Sequence, residues 1–131
     1  DVLHARRNAE ARWELLSRFG ALTAAQVAEA AGSRSKNTSA LAGRWLRDCD
    51  VFAVTYHGSR YFPAFQFDEM GRPLAVIANV LTHLADLGPW QQGIWFITRS
   101  RLLDDARPVD LLRVEPERVV ATAKAGATPL D

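Results

Sequence analysis

Apolar residues recur along most of the chain at three- and four-residue steps, the period of an amphipathic helix. In "ARRNAEARWELLSRF", Ala5, Ala9, Trp13 and Leu16 share one stripe, Glu14 and Arg18 make an i,i+4 pair of the favourable polarity, and Gly20 ends the helix. The next helix is marked at its start. Thr23-Ala24-Ala25-Gln26 is a capping box, with Leu22 and Val27 placed as a hydrophobic staple. Ala24, Val27, Ala28 and Ala31 form its inner face, and Gly32 stops it. After the polar run "SRSKN", a third helix is predicted from Asn37 or Thr38, with Leu41, Ala42, Trp45, Leu46 and Cys49 inward. Asn37, Ala40, Arg44 and Arg47 fall on a different stripe.

The period then changes. "DVFAVTYHGSRYFPAF" reads as two strands, Val51–Tyr56 and Tyr61–Phe62, around a turn at His57-Gly58-Ser59-Arg60 that puts Arg60 at the hairpin tip. Gly71 and Pro73 punctuate the chain beyond it and set a division into residues 1–63 and 64–131. The second part is helical again. Leu74–Leu87 is apolar around most of its circumference and therefore central to a core or an interface. Gly88-Pro89 starts another helix, lined by Trp90, Ile94 and Ile97, and a last one begins at Pro116 with Val119, Val120 and Ala123 inward. The expected fold is mainly α: an N-terminal helix-turn-helix with a short β-hairpin wing, followed by a small C-terminal helical domain.

Charge sharpens this reading. The net charge of the 131 residues is only +1. Residues 31–60, however, hold Arg34, Lys36, Arg44, Arg47 and Arg60 against Asp48 and Asp50, so the positive excess sits on the helix-turn-helix. Ala40 lets a backbone approach a groove, and Arg44 is long enough to reach a base edge or a phosphate. The candidate DNA-binding residues are Arg34, Lys36, Asn37, Thr38, Arg44, Arg47 and Arg60. A helical packing module without nucleic acid is the alternative reading of the same unit.

Little points to catalysis. His4, His57 and His83 share no metal-ligand spacing with one another or with Cys49, which reads as a small core residue. There is no glycine-rich phosphate loop and no Gly-x-Ser-x-Gly elbow. The adjacent Asp104 and Asp105 lack a third polar partner and are expected to cap a helix or bind Arg101 and Arg107. No enzyme activity, cofactor, metal or small-molecule substrate is expected. The 48% hydrophobic and 24% charged content predicts a globular chain without a membrane span, and the lone cysteine suits a reducing cytoplasm. The start at Asp1, without methionine, suggests a trimmed terminus.

The C-terminal residues carry a resemblance. Phe65-Gln66-Phe67-Asp68, Gly71-Arg72-Pro73, Trp95-Phe96 and Arg107-Pro108-Val109-Asp110-Leu111-Leu112, in that order over about residues 61–125, are similar to the toxin-binding domain of the Xre/MbcA/ParS-type antitoxins. The chain departs from that pattern at Thr98-Arg99-Ser100-Arg101 and at Asp105-Ala106. The resemblance implies a type II antitoxin, a homodimer that occludes a protein toxin of the RES type, which consumes NAD, and represses its own operon by binding operator DNA. By position, Arg118, Lys124 and the tail "ATPLD" are the expected toxin contacts. The rivals are a stand-alone winged-helix transcriptional regulator with no toxin, and a helical adaptor that binds neither.

Overall fold

The computed structural model of the chain describes residues 1–126. The first helix, α1, spans Val2–Ser17 and is capped by the Asp1 carboxylate, which accepts the His4 N–H at 2.7 Å. The predicted Ala5/Ala9/Trp13 stripe is not its buried side: Leu15 is fully buried, whereas Trp13 is 62% exposed. Helix α5, Pro89–Ile97, explains the difference. A Cβ added at Gly93 in α5 would lie 2.5 Å from Leu15 Cδ2, so the missing side chain there admits Leu15 and sets which face of α1 meets the body.

Helix α2 covers Ala24–Ala30 and carries the predicted capping box, with Thr23 Oγ1 accepting from Gln26 N–H at 3.2 Å and Gln26 Oε1 accepting from Thr23 N–H at 2.9 Å. Helix α3 runs Ala40–Arg47, starting later than the pattern suggested. Asn37 precedes it, because its Oδ1 accepts from both the amide and the hydroxyl of Ser39 and so holds a turn in place of a helical one. The early end at Arg47 also corrects the reading of Cys49: it lies past the helix, exposed, with φ +59°, where the chain reverses.

Three short strands follow the helix-turn-helix logic: β1, Ala21–Leu22; β2, Val54–Tyr56; and β3, Ser59–Pro63. They form an antiparallel sheet in the order β1-β3-β2, with Leu22 opposite Phe62 and Thr55 opposite Arg60. The turn is tighter than expected. His57 and Gly58 both take positive φ, 50° and 80°, the two-residue turn that matches strand twist. Arg60 therefore sits on β3, paired within the sheet, and not at the tip.

The apolar run Val51–Val54 separates two cores. Val51 and Ala53 point into the smaller one, with Val27, Ala42, Trp45, Phe62 and Phe67. Phe52 and Val54 point the other way, into a larger core with Leu15, Ile77, Val80, Phe96, Leu112 and Val119. This period-two alternation of an extended chain, buried on both faces, is what joins the two layers. Gln66, fully buried on a 3-10 turn at Ala64–Gln66, completes the joint. Its Oε1 accepts the Phe52 N–H at 2.8 Å and its Nε2 donates to the carbonyls of Phe52 and Pro63, so it serves as the strand partner that Phe52 lacks.

The helical half comprises α4 (Ala75–His83), α5, the short α6 (Pro108–Leu111) and α7 (Pro116–Gly126). Helix α4 ends at His83, shorter than the apolar pattern to Leu87. Of the apolar residues in the resemblance motif, Phe96 and Leu112 are buried, while Trp95 and Leu111 are only partly so. The charged knot at 99–107 is a turn, although its pairing differs from the prediction. Asp104 and Asp105 both adopt left-handed backbone, φ 56° and 67°. Asp104 binds Arg118 at 2.7 Å, and Arg107 Nε donates to the Ile97 carbonyl at 3.0 Å, while the side chain of Arg101 takes no part. Among the described residues no helix is long and apolar enough to cross a membrane.

Candidate nucleic-acid interface

A groove of about 380 Å³ lies between α3 and the hairpin. Its walls are Ala24 from the start of α2, Asn37 and Ser39 from the turn, Ala40, Gly43 and Arg47 from α3, and Arg60 and Phe62 from β3. Ala40, Gly43 and Arg47 follow one another at three- and four-residue steps, so they form one stripe of α3, opposite the buried Ala42 and Trp45. The stripe is small-small-basic. A Cβ at Gly43 would lie 3.8 Å from Arg47 Nη1, which places the guanidinium over a gap in the helix surface, within the groove.

Of the predicted DNA-binding residues, the structure brings Asn37, Arg47 and Arg60 together at this groove. Arg34, Lys36, Thr38 and Arg44 are exposed and do not line it. The Asn37 carbonyl is spent on Ser39, which leaves its amide hydrogens for an outside acceptor. Ala24, Ser39, Gly43 and Phe62 were missed. Gly43 was within reach of the sequence, since it stands three residues after Ala40 and four before Arg47. Phe62 was not, because only the β1–β3 pairing brings it beside α3.

The basic residues of this surface differ from four arginines that are paired elsewhere in the molecule. Elsewhere, Arg18 pairs with Glu14, Arg107 approaches Glu14, Arg113 pairs with Glu69 and Arg118 pairs with Asp104. Arg34, Lys36, Arg44, Arg47 and Arg60 have no ion pair and no side-chain hydrogen bond among the described residues. Arg47 and Arg60, both within the groove and neither paired with an acid, favour a polyanion there.

The predicted toxin contacts are placed differently. Arg118 is half-buried and occupied, donating to Asp104 and to the Leu102 carbonyl; the Asp104 hydrogen bond, more than its charge, holds the guanidinium pKa above its ordinary value. Lys124 is exposed on the last turn of α7, and the tail at 127–131 lies outside the described residues. Among the described residues, no group of three or more His, Cys, Asp or Glu side chains gathers as a metal site would require.

By sequence, no family model and no curated protein matches the chain. By structure, it is similar to Rv2175c, solved by NMR, with a TM-score of 0.72 and 25% identity, covering 86% of this chain and 84% of that one.

Proposed function

We propose that the chain is a winged-helix protein that binds double-stranded DNA and regulates transcription. The observation that carries this is the convergence of Arg47 from α3 and Arg60 from β3 on one polar groove, neither with an internal counter-charge. The small Ala40 and Gly43 let the α3 backbone enter a major groove, where Arg47 can reach base edges. Arg34, Lys36 and Arg44 flank it as phosphate contacts, and Arg60 serves the same end from the sheet.

Fluorescence anisotropy with a duplex from the region upstream of the gene, against a scrambled duplex, tests the reading. Arg47→Ala is expected to weaken binding by about tenfold, within the ~1–3 kcal/mol of a base-edge contact. Arg60→Ala should weaken both duplexes alike, while Arg113→Ala, which removes an already paired arginine, should change neither. No binding near 50 mM salt, or an equal loss from Arg113→Ala and Arg47→Ala, would sink the proposal. Equal affinity for both duplexes would leave DNA binding and remove regulation.

A second reading adds capture of a protein toxin by the helical half. It is favoured by a surface groove of about 330 Å³ on the seam of α4 and α7, walled by Ala75, Val76, Asn79, Pro116, Glu117 and Val120. Co-expression with the neighbouring gene product decides it, through growth rescue and co-purification that Val120→Glu abolishes.

A further inference from the structure

Helix α1 presents an uncovered face. Three of the large apolar side chains most open to solvent belong to it: Val2 at 80%, Leu3 at 56% and Trp13 at 62% exposed. At 3.6 residues per turn, Leu15 marks the side against the body, and Val2, Arg6, Glu10 and Trp13 lie opposite. The side chains of Arg6 and Glu10 carry opposite charges one turn apart, yet they form no ion pair, whereas Glu14 and Arg18 on the same helix do. The order explains this: acid before base is the favourable polarity on a helix, and Arg6 before Glu10 is the reverse. The face therefore holds an apolar stripe and two unused, opposite charges.

We infer that α1 is a homodimer interface, in which two copies of the helix pack antiparallel about a two-fold axis at the level of Asn8. Such an axis places Arg6 of each copy against Glu10 of the other, twice, and sets Trp13 of each over the partner copy's Val2. A two-fold interface must be self-complementary, and this face is so in charge and in apolar content together. Ala9, small and near the middle of the helix, lets the two backbones approach. The contact is one helix face per copy, about 24 Å long at 1.5 Å per residue. That is at or below the ~1,200 Å² where specific interfaces begin, so the dimer is a weak one. The inference does not depend on DNA.

Sedimentation velocity of the full chain without DNA, from about 5 to 500 µM, is the test. The wild type should pass from the 14.5 kDa monomer to a dimer. Trp13→Glu should remain monomeric with an unchanged circular dichroism spectrum, since the ring is mostly outside the fold. Arg6→Glu and Glu10→Arg each place like charges across the axis and should weaken association by about tenfold or more. The double variant Arg6→Glu/Glu10→Arg restores opposite charges and should recover the wild-type constant to within about threefold. The charge-swap series reads the interface even if Trp13→Glu fails to fold. A wild type that stays monomeric throughout, a dimer that survives Trp13→Glu, or a double reversal that fails to restore association overturns the inference.

Discussion

At Gly71 the backbone takes φ +75°, and a Cβ there would lie 2.4 Å from the carbonyl oxygen of Ala30. Both demands point to glycine, because the obstructing atom is backbone at the end of α2 and cannot swing aside. Gly71→Ala is expected to cost about 2–4 kcal/mol from overpacking and left-handed strain together, read as a lower urea midpoint at an unchanged slope. Close by, Glu69 is engaged by Arg113. Hydrogen bonding to its own backbone amide, then the Arg113 guanidinium, holds its carboxyl below the ordinary 4.5. A carboxylate depressed in the folded state contributes stability above its unfolded pKa and loses it as pH falls through the folded one. The carboxyl is exposed, so the effect belongs in a site-resolved NMR titration more than in global stability. Glu69 should titrate below other exposed glutamates, and Arg113→Ala should move it part of the way back, the backbone hydrogen bond remaining. A Glu69 that titrates with the rest would refute the pairing in solution.

Among the elements, those with a local cause were readable from the chain, and those with a distant cause were not. The capping box at Thr23 and the proline starts at Pro89 and Pro116 act within one turn, so composition alone located α2, α5 and α7. Strand β1 is two residues long and exists only because Phe62 lies beside Leu22, which no local pattern encodes. The same applies to Trp13. Its spacing on α1 was right for a buried face, but Gly93 on another helix decided which face was buried. For the candidate site, Arg47 and Arg60 were legible as basic residues on a helix and a hairpin. Their meeting at one groove was not, because it follows from the sheet register. Gln66 tests how strongly the elements are joined. Gln66→Ala strands the Phe52 amide and carbonyl in a dry core, where each unsatisfied group costs about 1–3 kcal/mol. A loss of about 3 kcal/mol is expected by urea unfolding, whereas replacing the exposed Gln91 by alanine should cost less than about 1 kcal/mol.

For the molecule as a whole, the two cores raise the question of whether they unfold together. Leu15, Phe52 and Val54 come from the first half of the chain, yet they are buried among Ile77, Val80, Phe96 and Val119 of the second. Phe52 stacks on Phe96 at 5.6 Å with the rings 6° from parallel, and Val51, its neighbour, faces the other core. One four-residue segment therefore serves both layers, and neither can lose its partner without exposing it. Each large side chain stripped from such a core forfeits roughly 1.5–3 kcal/mol of burial, and three at once approach the ~5–15 kcal/mol that holds a domain folded. A fragment of residues 1–63, although it contains the whole helix-turn-helix and hairpin, is thus expected not to fold alone, whereas the full chain unfolds in urea as a single transition. Coincident loss of tryptophan fluorescence and of far-ultraviolet dichroism in the full chain, with a poorly dispersed amide spectrum for the fragment, is the expected pair of results. A fragment with dispersed amides, or two separated transitions in the full chain, would show that the segment Val51–Val54 does not couple the cores. If the coupling holds, Phe96→Ala in the larger core should lower the single urea midpoint without a separate transition from the smaller core.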